Sequence, residues 1–257
     1  MSGFSMDRRA VARTLAGLGA ATLSACDKLA GSPHVKKVVY SAEAITRGVQ
    51  RLILSPGQLA PEFKPSDISP TFRANGSVAV DDPAYKNNLA NGFKDWRLEV
   101  GGLVDKPLSL SLDDLRSRPG RTQITRHDCV EGWSCIGQWT GAKLGPILQE
   151  AGLKPAAKFI VFYCADMIDP NAGARYYESI GLADAFHPQT ILAYAMNGQP
   201  LSEPHGAPIR LRVERQLGYK QAKYIMRIAA VDSLKPINGG KGGYWEDSTG
   251  YEWYGGI

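Results

Sequence analysis

What most limits the architecture of this chain is the spacing of its strand-like runs. Between Trp96 and Asp232 short apolar or alternating stretches follow one another at intervals set by Gly, Pro and Asn, and no helical pattern of regular length separates them. "WRLEVGGLV" (96–104) alternates as a strand and carries a Gly-Gly pair that predicts a turn. "RTQITRHDCV" (121–130) reads as a strand running into a loop, and "KFIVFYCAD" (158–166) as a buried strand. "ILAYAMNGQPL" contains Asn197-Gly198, the strongest short hairpin signal. "APIRLRVE" and "KYIMRIAAVD" add two strands. Helices are few and short. "SLDDLRS" opens with Ser111 and has Asp114 three residues on, a capping pattern, and "AKLGPILQEAG" stops at Gly152. Strands in number, without a repeated strand–helix–strand unit, predict an α+β domain with mixed sheets and short helices.

The first residues belong to a different class of segment. "MDRRAVARTLAGLGAATLSACDK" pairs Arg8 with Arg9 and continues as an Ala-, Gly- and Leu-rich run interrupted by Arg13. It is too short and too polar to span a bilayer well and reads as an export signal of twin-arginine type over residues 1–25. "LSAC" resembles a bacterial lipobox, which would make Cys26 the acylated first residue of the mature chain, with Asp27 after it favouring the inner membrane. Residues 26–71, with Pro33, Pro56, Pro61, Pro65 and Pro70, are expected to be a tether and N-terminal arm that wraps over the domain or stays partly mobile. The main domain is expected over 72–257. A net charge of +5 without a basic stripe argues against nucleic acid as partner.

Four cysteines are present, and if Cys26 is acylated an odd number remains. No closely spaced zinc knuckle and no Cys-x-x-Cys-His haem attachment occurs. Cys129 stands out. Arg126, His127, Asp128 and Glu131 surround it, at a point where a strand gives way to a loop. Arg126 would favour a thiolate and the two acids would oppose it. A buried inert thiol, a disulfide with Cys135, a nucleophile and a soft-metal ligand all remain open on these grounds. Cys164, inside an apolar strand, reads as core or cavity wall.

The residues around Cys129, "HDCVEGWS" followed by Trp139, Gly141 and Leu144, resemble the molybdopterin-binding domain of the sulfite-oxidase fold, especially its small exported bacterial members. The catalytic subunit of periplasmic methionine sulfoxide reductase is one of these. The resemblance covers about Phe72 to the C-terminus. It implies that Cys129 gives its thiolate to molybdenum and that the metal's other sulfurs come from the pterin dithiolene of a Mo-molybdopterin cofactor. "HGAPIRLRVERQLGYKQAKYI" is similar to a second motif of the family, which holds the pterin and its phosphate. That likeness implies cofactor roles for His205, Arg210 and Lys223, with Gln221 and Ala222 at adjoining backbone positions. A phosphate suits a fork-shaped guanidinium with a second cation beside it. Arg212, by contrast, reads as an outward residue of an amphipathic strand. "TFRANG" implies a pterin contact for Asn75, which otherwise reads as a turn residue before Gly76. Cys164 falls near a cofactor-lining position.

Other residues depart from the family. Ala74-Asn75-Gly76 stands where sulfite oxidases carry Arg-Asn-His, and Arg73 on an extended segment would point the other way. Too few residues follow Arg210 for the dimerisation domain of sulfite oxidases, so a monomer is expected. Val78-Ala79 replaces the Tyr-Glu of the sulfoxide reductases. In the tail "KGGYWEDSTGYEWYGGI", Tyr244, Tyr251 and Tyr254 are candidate lining residues, and Glu131 is expected to support the metal loop. The reading as a whole is an exported, lipid-anchored periplasmic oxidoreductase. It would carry out oxygen-atom transfer on a small molecule, by S- or N-oxide reduction or sulfite-type oxidation. A membrane haem protein or periplasmic cytochrome would exchange its electrons. The alternative is a lipid-anchored scaffold or binding protein of the same fold without metal, in which Cys129 and Cys135 form a disulfide.

Overall fold

The structure is a computed structural model that describes residues 57–169 and 173–257, with Ser32 and Gly48 besides. The export signal, the lipobox and most of the tether expected from the sequence lie outside the described residues. The chain divides into residues 1–54 and 55–257, and the second unit is the domain that holds Cys129 and the other candidate site residues.

Two five-stranded sheets make up the domain, and the helices are short. The first is ordered β2-β1-β10-β5-β6, from β1 (Leu98–Gly102), β2 (Leu108–Leu110), β5 (Phe159–Asp169), β6 (Ala174–Gly181) and β10 (Ile225–Val231). Its only parallel pair among the described residues is β1 with β10. The second runs β3-β4-β7-β8, from β3 (Gly120–Asp128), β4 (Ser134–Lys143), β7 (Ile191–Met196) and β8 (Gln199–Pro200), with β9 (Arg210–Arg212) also paired to β7. Five α-helices belong to the described part of this domain: α1 (Pro83–Ala90), α2 (Leu112–Ser117), α3 (Leu144–Ala151), α4 (Leu182–Ala185) and α5 (Tyr244–Ser248). No helix of the described residues is long and apolar enough to cross a membrane.

Local chemistry explains most of these boundaries. Ser111 Oγ accepts from the Asp114 amide while the Asp114 carboxylate accepts from the Ser111 amide, so α2 starts with a reciprocal cap. Gly152 ends α3 in the left-handed region. Asn197 and Gly198 both have positive φ, at 50° and 77°, and turn β7 into β8. The Gly101-Gly102 pair departs from expectation, since both residues belong to β1. Gly102 lies so close to β10 that a Cβ there would stand 2.3 Å from the Ala230 carbonyl oxygen, so this glycine serves strand approach and not a turn.

The arm follows the edge of the second sheet. The Phe63 amide donates to the Ile124 carbonyl at 2.9 Å, and the Ser69 amide to the Ile136 carbonyl at 3.0 Å. Gln189 holds both backbone groups of Ala60. Phe72 then turns inward, with its ring edge-on to Trp139 at 5.2 Å and 5.8 Å from both His127 and His205. These aromatic faces join the arm to the strands that build the site.

Candidate active site

Cys129 stands at the tip of the β3–β4 hairpin. Its amide donates to the Trp133 carbonyl at 3.0 Å, and its carbonyl accepts from Gly132, which has φ +83°. The hairpin thus places one half-buried thiol at the wall of a cleft. Asn75, Ser77, Asp166, Tyr176, Gln221 and Lys223 also line it, and Trp245 and Tyr251 come from the C-terminal tail. Burial, followed by the Glu131 charge, raises the Cys129 thiol above its usual range, while Arg73 works in the opposite direction.

Arg126 takes no part in this balance. It pairs with Asp128 at 2.9 Å. Arg73, expected to point away, instead lays its guanidinium 5.3 Å over the Trp133 ring. Trp133 belongs to the turn after Cys129, so a contact between segments decides the direction of Arg73. Glu131 accepts from Trp133 Nε1 at 2.8 Å and so braces the same turn.

The second motif supplies buried positive charge. Arg210 is fully buried and makes only long bonds, to the His205 carbonyl at 3.3 Å and the Gln221 carbonyl at 3.4 Å. Its Nε has no hydrogen-bond partner. Lys223 Nζ donates to the carbonyls of Ser77 and Pro204. Neither cation forms a salt bridge among the described residues. Burial, with Arg212 next, brings Arg210 down to about 9, and burial, with Arg210 next, brings Lys223 down to about 7. Burial and the same two cations hold His205 at about 4, and its Nδ1 is without a partner. Cations compressed in this way, with unsatisfied donors between them, suit an anion such as a phosphate.

Arg212 corrects the sequence reading. It is buried, not outward, because β9 is covered on both faces. Its guanidinium grips Glu214 through two nitrogens and sits 4.4 Å from the Trp139 ring, while Arg210 lies 5.0 Å from that ring. Ala222 is buried beside the cleft, and its carbonyl accepts from the Leu211 amide. Cys164 lies close enough to the cleft residues Asp166 and Lys223 to feel their charges. It is buried on β5 and lines a second cavity with Arg175, Tyr177 and Tyr244, while Tyr176 lines both cavities. Tyr244 therefore faces the second cavity, Tyr251 the first, and Tyr254 neither. Cys129, Cys135 and Cys164 are all free thiols, so the disulfide considered from the sequence is not formed. Cys135 is instead buried on β4, with its Sγ 3.7 Å from the Thr71 carbonyl.

Lining residues missed in the sequence include Ser77, Asp166, Tyr176 and Trp245. Asp166 ends a continuous apolar run and Trp245 lies in a Gly-rich tail, and neither carries a motif. Asp166 is buried, accepts from Ser77 Oγ at 2.8 Å through Oδ2, and leaves Oδ1 without a partner. Burial raises its pKa.

Among the described residues no three His, Cys, Asp or Glu side chains converge on one point. A metal held by Cys129 would therefore take its remaining ligands from an organic cofactor. A lone soft sulfur over an anion-seeking cleft fits such a group.

Fold and site together define a molybdopterin-binding oxidoreductase domain. The chain belongs to the oxidoreductase molybdopterin binding domain family, whose pattern matches residues 86–236, and it is an oxidoreductase of the sulfite-oxidase fold. It is 36% identical over 249 residues, 97% of this chain and 87% of the relative, to a putative protein-methionine-sulfoxide reductase subunit of Azospira oryzae. It is 32% identical over 241 residues, 89% of this chain and 71% of the relative, to the protein-methionine-sulfoxide reductase catalytic subunit of Xanthomonas axonopodis pv. citri. Among solved structures, the sulfane dehydrogenase SoxCD of Paracoccus pantotrophus aligns with a TM-score of 0.52 at 25% identity. That alignment covers 62% of this chain and 42% of the dehydrogenase chain.

Proposed function

We propose that the protein is an exported molybdenum-cofactor reductase that removes oxygen from thioether S-oxides of the methionine sulfoxide type. The observation that carries this reading is the likeness to sulfoxide reductase subunits over nearly the whole chain. The cleft around Cys129 supports it.

Cys129 Sγ would hold the metal. Arg210, Lys223 and His205 would hold the cofactor's phosphate, and Asn75, Gln221 and Ala222 its pterin. When bound, the molybdenum cofactor supplies two-electron oxygen-atom exchange. Reduction of a sulfoxide consumes two electrons and two protons and yields a thioether and water. Asp166 is suited to hold one of those protons. Its Oδ2 accepts from Ser77, so the proton resides on Oδ1. Burial keeps the carboxyl protonated to higher pH than an exposed aspartate. Trp245 and Tyr251 form an apolar wall suited to a thioether. Electrons would come from a separate haem-bearing partner. Cys26 would tether the domain to the periplasmic face of the inner membrane.

The test is elemental analysis on protein made in a host that builds the cofactor, beside Cys129→Ser, with methionine sulfoxide reduction followed under a viologen reductant. About one molybdenum per chain, lost in the variant, together with turnover of the sulfoxide, is the expected result. Molybdenum without sulfoxide turnover would overturn the substrate, and no molybdenum in the folded wild type would overturn the reading.

A further inference from the structure

Behind the cleft wall lies a group of buried charges that the proposed chemistry does not use. Lys220, Glu178 and Glu246 are each 0% exposed. Lys220 Nζ donates to Glu178 Oε1 and, at 2.7 Å, to Glu246 Oε1. The three residues come from three segments: β6, the turn after β9, and α5 in the tail. Each is a sequence neighbour of a cleft residue. Tyr176 lies two before Glu178, Tyr219 and Gln221 flank Lys220, and Trp245 precedes Glu246. Gly243 lets the tail approach β6, since a Cβ there would stand 2.6 Å from Glu178 Oε1.

The tail has a second anchor at its far end. The Leu217 amide donates to the Gly255 carbonyl at 2.7 Å, and Tyr219 OH to the Glu252 carbonyl at 2.6 Å. Trp245 and Tyr251 lie between the two anchors and stack on each other at 6.1 Å, with Tyr251 edge-on to Tyr219. Asp247 adds a more exposed attachment through Tyr177 OH.

We propose that Lys220, clasped between Glu178 and Glu246, is a positioning residue that holds the aromatic tail as one wall of the cleft and so sets how tightly substrate is bound. One lysine facing two carboxyls is neutral only if one carboxyl keeps a proton. Burial, with Glu246 adding to it, raises Glu178 well above the usual carboxylate range despite Lys220, and as part of this proposal we place the retained proton there. Removing the lysine leaves two buried carboxyls without their cation, the unfavourable half of a broken pair.

The test uses the full holoenzyme and two readouts: hydrogen exchange of the 244–251 amides, and kcat and KM for methionine sulfoxide. Only the kinetic readout rests on the sulfoxide-reductase reading. Lys220→Met is expected to raise exchange about tenfold and KM about tenfold, with kcat within threefold. Glu246→Leu removes only the tail's side of the clasp, leaves Lys220 paired with Glu178, and is expected to act the same way even if Lys220→Met does not fold. Glu178→Gln preserves the charge count and is expected to stay within twofold of wild type in both readouts. Unchanged exchange in Glu246→Leu overturns the clasp. Raised exchange with unchanged KM overturns its effect on substrate. A Glu178→Gln variant as impaired as Glu246→Leu overturns the charge assignment.

Discussion

Arg212 donates from Nη1 to His127 Nδ1 across 3.0 Å, with both side chains fully buried. A guanidinium has no acceptor, so His127 Nδ1 accepts and the ring proton sits on Nε2. The same guanidinium holds Glu214 at 2.9 and 2.5 Å. One cation thus joins β9 to β3, the strand that ends at Asp128, just before Cys129. Replacing Arg212 by Met leaves the buried Glu214 unpaired, and the expected cost is about 3–5 kcal/mol. Lys cannot reproduce the planar fork, so Arg212→Lys is expected to recover only part of that loss. Urea unfolding of the three proteins checks both expectations.

Sulfate keeps a constant charge near neutral pH and serves as a probe of the cation pair. Lys223 is depressed to about 7, so above that pH the free site must take up a proton to bind an anion. Sulfate affinity of cofactor-free protein is expected to fall by up to about tenfold per pH unit above 7. In Lys223→Met the affinity is expected to be weaker and nearly flat with pH. Isothermal titration at pH 6, 7 and 8 checks the slope.

His205 contributes to acid sensitivity. Its folded pKa of about 4 lies below the unfolded value. Its stabilising contribution is therefore complete above about pH 6.5 and is lost as pH falls toward 4, because the unfolded chain takes up the proton first. Relative to His205→Gln, wild-type stability is expected to fall by no more than about 1.4 kcal/mol per pH unit across that window. Denaturant unfolding of both proteins at pH 7, 6 and 5 gives the difference directly.

A methyl group at position 218 would stand 2.6 Å from His127 Nε2 and 2.7 Å from its Cε1. The imidazole is enclosed and fixed by Arg212, so it cannot step aside freely. Gly218→Ala is expected to cost about 1–3 kcal/mol and to change the chemical shifts of the His127 ring, as read by thermal unfolding and NMR.

The α2 cap gives a prediction remote from the site. Ser111→Ala removes the Oγ acceptor of the Asp114 amide and is expected to destabilise by about 1 kcal/mol with cofactor content unchanged. Thermal unfolding and elemental analysis separate the two effects.

Where a feature depends on a few consecutive residues, it was readable in advance. The Asn197-Gly198 turn, the Ser111 cap and the Gly152 stop each follow from local geometry, and so does the placing of Cys129 at a strand end. Features that depend on which faces are covered were not readable. β9 alternates like an exposed strand, yet Arg212 is buried because β3 presents the polar inner residues Gln123, Thr125 and His127 to it. Arg73 was assigned a direction from backbone alternation, and Trp133 supplies the surface that redirects it. Cys164 reads as a lining residue by its position in the chain, and the packing makes it a lining residue of the second cavity, beside Tyr176, which lines both.

The sequence by itself therefore determined the strand-rich α+β class, the place of Cys129 at a strand end and the run of basic residues from His205 to Lys223, because local periodicity and side-chain chemistry are properties of short segments. Only the tertiary structure decided which cations form no salt bridge among the described residues, that Asp166 and Trp245 face the cleft, and that Lys220, Glu178 and Glu246 meet behind it. Burial and pairing are relations between segments distant in the chain, and those relations exist only once the sheets and the tail have packed.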